Sequence, residues 1–301
     1  MTVGAPLFSV ILPTFDRAAY LHHAIGSVQR QTVSDFELIV VDDGGRHEVT
    51  IPDDERIRVV RLPENRGPAA ARNAGLAVAR GSYVTFLDDD DLFTPGRLQL
   101  ALDGLERAPI TVCWGRFIDG DARPGRRLDG DVSAGILDEA TPTLGYAALR
   151  RDLVADFDEC WQAVEDVVWW LEVAGRAPVA TVESVGYLVR RHQGPRNRNH
   201  LRARIDENRR LLDELCDVFA ARPRARAFRL KRIGLMAMAA GDRGAAVSAF
   251  AGSWRARRST ATAWHLVRAL AGVGVGGPGH HPHPPGSDRA AAPLPAERPR
   301  R

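Results

Sequence analysis

The chain has 301 residues, 45% of them apolar and 26% charged, with a formal net charge of +3. That length supports one large α/β domain with a smaller helical appendage, and the composition excludes a chain disordered throughout. No uninterrupted apolar run reaches the ~20 residues a bilayer-spanning helix needs. The three cysteines contain no Cys-x-x-Cys pair, so neither a disulfide framework nor a zinc pattern is indicated.

All but one of the 41 basic residues are arginine, Lys231 being the exception. The basic excess gathers in Arg190–Arg210 and Arg222–Arg232. It reads either as a solvated helix face or as attraction to an anionic membrane surface or phosphorylated substrates. Cys113 and Cys160 stand among apolar residues and read as core, which fits a reducing compartment. Leu7–Leu12 is too short for a signal-peptide core. The expected location is cytoplasmic, with peripheral membrane contact left open, and no nucleic-acid partner is expected.

In chain order, Leu7–Leu12 reads as a buried strand ending at Pro13, and Asp16–Gln31 has helical spacing. Phe36–Val41 is a second buried strand, closed by the turn Asp42-Asp43-Gly44-Gly45. Ile57–Leu62 is a third strand. Pro68–Ala79 is helical, with Gly81 where its C-cap is expected, and Tyr83–Leu87 is a strand running into Asp88–Asp91. Pro95–Arg107 reads as a helix with Thr94 as N-cap and Pro95 in its first turn. Ile110–Ile118 is a strand, Asp119–Gly135 a polar loop able to order over a ligand, and Ala155–Ala174 holds a helix with three tryptophans. Val179–Arg190 is a strand, and Leu201–Ala221 and Arg229–Gly272 are helical. The Gly-, Pro-, His- and Arg-rich tail reads as disordered. The strand–helix alternation implies a Rossmann-like, mostly parallel sheet flanked by helices. The domains expected are 1–195, a helical region 196–272 and a tail 273–301.

In such sheets, function gathers at the carboxyl ends of the strands. Three polar clusters fall there: Pro13–Arg17, Asp42–Gly45 and Asp88–Asp91. Four adjacent carboxylates repel one another, and a divalent cation relieves that repulsion. Mg²⁺ and Mn²⁺ favour one or two carboxylates together with substrate phosphates. Asp88 and Asp90 would share a side on an extended strand end. A solvated acidic turn is the alternative. An aspartate at 42 or 43 can accept from a base or a ribose, or can merely end a strand. Gly67 permits an unusual turn, and the helix it opens can receive phosphate beside Arg72, or be capped without any ligand. Glu165-Asp166 stands among tryptophans that could raise a carboxyl pKa and line a sugar pocket, which suits a general base.

Ser9–Arg17 (SVILPTFDR), Phe36–Gly45 (FELIVVDDGG), Asn65–Gly81, Tyr83–Asp91 (YVTFLDDDD) and Cys160–Ala174 (CWQAVEDVVWWLEVA) occur in that order. As an ordered set they resemble family 2 glycosyltransferases of the GT-A fold, across about residues 7–195. The resemblance implies an inverting, metal-dependent hexosyl transfer from a nucleotide-sugar, a UDP- or dTDP-sugar, to an acceptor hydroxyl. That acceptor would be a glycan, a lipid-linked glycan or a small molecule. It also implies that Pro13, Thr14, Asp16, Asp43, Gly67 and Arg72 hold the nucleotide, with Asp88 and Asp89 near the ribose. Asp90, joined by Asp88, would hold Mn²⁺ or Mg²⁺. Asp166 would be the base, with Glu165 beside it, and His192 could reach the diphosphate or the metal. Asp16 and Gly45 depart from the family's usual asparagine and serine, and Arg46–Arg56 is shorter than usual. A nucleotidyltransferase and a non-catalytic sugar-nucleotide binder are the competing readings. The first lacks its Gly- and Lys-containing loop after the first strand, and the second leaves the carboxylates without work.

Overall fold

The computed structural model describes residues 4–120, 122–123, 126–191 and 198–272. Its first half follows the expected alternation: β1 (Phe8–Thr14), α1 (Ala18–Gln29), β2 (Phe36–Asp42), β3 (Ile57–Arg61), α2 (Pro68–Val78) and β4 (Tyr83–Phe86). Every residue of β2 is buried, which explains its unbroken apolar run. The strands lie in the order β3-β2-β1-β4, all parallel. Thr14 pairs with Asp42 in register, so the polar clusters after β1 and β2 emerge side by side. α2 lies close against β1, where a Cβ on Gly75 would come 2.6 Å from Ile11 Cγ2.

Beyond β4 the sheet is mixed. Next come β5 (Leu92–Phe93), α3 (Arg97–Leu105), β6 (Ile110–Phe117), β7 (Ala122–Arg123), β8 (Ala147–Arg150), α4 (Glu165–Val173) and β9 (Val179–Val189). β8 inserts antiparallel between β4 and β6, giving the order β4-β8-β6-β9-β5 with β7 beside β6. The parallel expectation thus holds for the β3-β2-β1-β4 half of the sheet. β8 escaped the sequence reading because four residues, AALR, carry no periodicity of their own.

Several expected boundaries move. α2 ends at Val78 and is capped by Ala79, whose N–H bonds to the Leu76 carbonyl, so Gly81 is not its cap. The helix expected from Pro95 begins at Arg97, after Gly96. Thr94 is not its cap, because its hydroxyl donates instead to the Val185 and Gly186 carbonyls. Only Glu165–Val173 of the tryptophan-bearing stretch is helical. Cys160 lies outside that helix and is exposed, so it is not a core residue, whereas Cys113 is. Part of the Asp119–Gly135 segment is strand β7, and Leu128 bonds to Thr181 through both its N–H and its carbonyl.

The C-terminal helices are α5 (Arg198–Glu214), α6 (Cys216–Ala220), α7 (Pro223–Ala240), α8 (Arg243–Ala256) and α9 (Thr260–Leu270). α7–α9 share a small core around Ile233, Ala237, Ala246 and Phe250. Leu211, Phe219 and Ala225 instead join the main core of the sheet. The helices are also tied to the sheet by one carboxylate. Glu207 on α5 accepts from the backbone N–H groups of Gln162 (2.9 Å), Ala163 (2.7 Å) and Val164 (3.1 Å), just before α4 begins. Three converging N–H groups at a helix start form an anion nest, and Glu207 fills it. The domain boundary expected at 195 and the tail from 273 lie outside the described residues. None of the described helices is long and apolar enough to cross a membrane.

Two predictions follow from this scaffold. Glu207→Ala leaves two part-buried donors and one exposed donor without this acceptor and should cost about 1 kcal/mol in denaturant unfolding; an unchanged midpoint would refute the tie. Glu37 on β2 is buried, which by itself would raise its pKa. Bonds from Ser9 Oγ (2.7 Å) and the Arg80 N–H (2.6 Å), with the Arg58 charge, outweigh burial and lower it. A lowered carboxyl stabilises above its unfolded pKa, and that contribution is lost as the pH falls through the folded value. Glu37→Gln should therefore flatten the acid limb of the stability–pH curve; an acid limb as steep as wild type would count against this network.

Candidate active site

The loop after β1 turns at Asp16, which has φ of 52°, in the left-handed region where asparagine and aspartate are the best tolerated side chains. The aspartate found there keeps the turn and adds a charge. Its carboxylate accepts from the Arg46 N–H (2.9 Å) and Nε (2.9 Å), joining the loops after β1 and β2. Asp42 accepts from the Gly45 N–H (2.8 Å) and pairs with Arg61 (3.0 Å). Asp43 grips the start of α2, its two oxygens accepting from the N–H groups of Arg66 (2.8 Å) and Gly67 (2.9 Å). Gly67 has φ of 89°, a left-handed torsion that favours glycine, and it lies beside the Gln162 side chain. The N-terminus of α2 thus meets a carboxylate from β2.

The acidic run divides by neighbour. Asp88 is partly exposed and pairs with Arg72 (3.1 Å). Asp89 accepts from Thr14 Oγ1 (2.8 Å) and pairs with Arg17 (3.1 Å). Asp90 pairs with the same Arg17 nitrogen at 2.8 Å. Asp91 turns inward, accepting from the Arg190 N–H (2.8 Å). Burial pushes the Asp89 carboxyl up to about 6, with the neighbouring aspartates adding to the rise, and that of Asp91 up to about 7. Arg17 and Thr14 only partly offset the burial of Asp89.

Arg72 leaves α2 and is buried between two carboxylates, Asp88 at the end of β4 and Glu165 (2.9 Å) at the start of α4. Burial raises the Glu165 pKa and Arg72 counters it. Glu165 and Asp166 occupy the first turn of α4, where the helix dipole favours acids. Glu165 is held by Arg72, while Asp166 is less buried and opens on a cleft of about 270 Å³. Arg72, Asp88, Gln162, Glu165, Asp166 and Arg204 are among its lining residues. The tryptophans expected to line a sugar pocket do not. Trp169 and Trp170 are core, each donating its indole N–H to a backbone carbonyl, of Ala155 and Pro142. Trp161 is buried beneath the Arg210 guanidinium.

Thr14, Asp43, Asp88, Asp89 and Asp90 therefore gather at one edge of the sheet, with Pro13 and Asp16 in the same turn. Arg72 joins this edge to Glu165 and Asp166. His192 lies outside the described residues. Sequence reasoning passed over Arg17, Glu207 and Arg204 as site residues. Arg17 stood inside a quoted motif. The other two lie in a charge-rich helix where only packing singles them out.

Residues 9–153 match the model of glycosyl transferase family 2. An uncharacterized glycosyltransferase of Haemophilus influenzae is 36% identical over 121 residues, which is 38% of this chain and 48% of that protein. The chain spans less than half the length of the curated relatives it matches. In architecture it is similar to Staphylococcus aureus TarS 1-349 in complex with UDP-GlcNAc. The TM-score is 0.56 at 16% identity, covering 83% of this chain and 91% of that one. It is also similar to the mannosyltransferase PcManGT of Pyrobaculum calidifontis in complex with GDP-Man and Mn²⁺. There the TM-score is 0.55 at 19% identity, covering 90% and 81%. With these matches laid over the strand-end carboxylates and the α4 acids, residues 9–153 form a glycosyl transferase family 2 segment, and the chain is built on a GT-A fold.

Proposed function

We propose that the chain transfers a hexose from a nucleotide-diphosphate sugar, a UDP- or dTDP-sugar, to an acceptor hydroxyl, with inversion and with a divalent cation. The observation that carries this reading is the Arg72 bridge, which joins Asp88, at the end of β4, to Glu165 beside Asp166 on one cleft. The neighbours crystallised with UDP-GlcNAc and with GDP-Man and Mn²⁺ support the general donor class.

The chain's own residues divide the work. Thr14 and Asp43, with Pro13, Asp16 and Gly67 shaping the turns, face the nucleotide, and Asp88 and Asp89 face the ribose. Asp90 and Asp88 offer hard oxygen donors suited to Mg²⁺ or Mn²⁺. The donor set fits such an ion, since Asp89 and Asp90 already share one cation, the half-exposed Arg17, and Asp89 stays raised beside it. Among the described residues, no three His, Cys, Asp or Glu side chains converge into a closed cage, which suits a site completed by substrate phosphates. When bound, the ion would offset charge on the departing diphosphate.

Asp166 takes the proton of the acceptor hydroxyl while that oxygen bonds to the anomeric carbon. The bond from that carbon to the diphosphate oxygen breaks, and its electron pair leaves with the diphosphate. One displacement inverts the anomeric centre. Glu165 positions Arg72 and takes no proton in this scheme. The chain is read as a GT-A domain followed by a helical region, acting in the cytoplasm and open to peripheral membrane contact.

Two measurements test the proposal. Asp166→Asn and Asp90→Asn should each lower nucleotide release from the productive donor by about 10²-fold or more; wild-type rates in both would sink the assignment. Burial holds Asp89 and Asp91 above the ordinary aspartate pKa. In the cation-free protein their protonated form is favoured, so stability present at low pH is lost as the pH rises through about 6 to 7. Mn²⁺ should then raise the melting temperature more at pH 8 than at pH 5.5, and an equal shift at both would count against a cation at this cluster.

A further inference from the structure

The acidic pair on α4 faces an unusual wall. Arg204 on α5 lines the cleft with Asp166. Behind it, on α7, stand Arg229, which is 2% exposed, and the largely buried Arg232. Arg229 donates to Asn208 Oδ1 (3.0 Å), and Asn208 donates to the Arg204 carbonyl (2.6 Å), so α5 and α7 hold these side chains together. Arg229 Nε is buried without a partner. Arg229 and Arg232 both feel the charge of Asp166, and Arg232 is repelled by Arg204. Burial, with repulsion from Arg232, brings the Arg229 pKa down to about 10, so it stays charged at neutral pH.

Among the described residues, none of the three guanidiniums forms an ion pair. Asp88 and Glu165 are already occupied by Arg72. Of the described acids lining the cleft, that leaves Asp166 to answer these positive charges. Gathering guanidiniums in partly desolvated surroundings is unfavourable unless an anion joins them. The planar fork of arginine matches the paired oxygens of phosphate and carboxylate. The donor diphosphate belongs at the other end, beside the strand-end aspartates. The anion that answers this wall therefore enters on the acceptor side.

We propose that the acceptor carries an oxyacid anion, phosphate or carboxylate, near the hydroxyl that is glycosylated, and that Arg204 binds it in the cleft with the charges of Arg229 and Arg232 behind it. The proposal rests on the reading of the cleft as a glycosyl-transfer site, and it gives the arginine-rich C-terminal helices a part in choosing the substrate.

The test uses the full chain and calorimetric titration. Wild-type protein is first titrated with UDP, and separately dTDP, in Mn²⁺, which reads the donor site alone. Glycerol 3-phosphate and glucuronate are then titrated with the bound nucleotide saturating, and again without nucleotide. At least one anion should bind alongside the nucleotide, the tighter one naming phosphate or carboxylate as the group. Arg204→Gln should weaken it about 10-fold or more, by loss of a charge-assisted bond, and Arg232→Gln should weaken it less, by loss of a charge behind Arg204. Arg258→Gln, on the exposed end of the helical region, should leave it unchanged. Arg204 is exposed, so its variant serves if the partly buried Arg232 variant fails to fold. Equal affinity in wild type and Arg204→Gln would overturn the proposal, as would anions that bind nowhere or only by displacing the nucleotide. If neither nucleotide binds, the donor reading fails by itself, and the nucleotide-free titrations still read the arginine wall.

Discussion

Arg72 is the charge on which the site depends. Its guanidinium is buried, and a buried cation persists only with close, well-placed anions. Asp88 and Glu165 supply them from two elements distant in sequence. The same pairs bind α2, the end of β4 and the start of α4 into one unit. Glu165 is thereby held, and its neighbour Asp166 is aimed at the cleft. The strand-end carboxylates and the acids of α4 are related by ion pairs rather than by a loop.

The other carboxylates show the same economy. Asp43 closes the start of α2, and Glu207 closes the turn before α4. Both fill backbone N–H nests with a side chain from another element, so each helix start is set in place by tertiary contact. The C-terminal helices accordingly belong to the architecture of the site. Glu207 steadies the chain leading into Glu165-Asp166, and Arg204 forms part of the cleft wall.

The run Asp88–Asp91 illustrates how one motif becomes four environments. Asp88 meets Arg72, Asp89 and Asp90 share Arg17, and Asp91 turns under Arg190. Adjacent residues on an extended strand end point in different directions. An acidic run therefore spreads over several partners, and only part of it remains free to face a ligand.

The amino-acid sequence by itself determined the alternating strands and helices through Val78, the strand-end position of the polar clusters, and the family. Each follows from local signals: unbroken apolar runs, turn residues and short ordered motifs. It did not determine β8, whose four residues acquire strand character only between β4 and β6. Nor did it determine the start of α4, because the apolar stretch before Glu165 packs as irregular chain around Asn73 and Glu207. The tryptophans looked like a pocket lining, and packing with Phe86 and Phe157 made them core. Tertiary structure alone decided which carboxylate meets which arginine, since ion pairs across 93 residues, as between Arg72 and Glu165, leave no periodic trace in the chain.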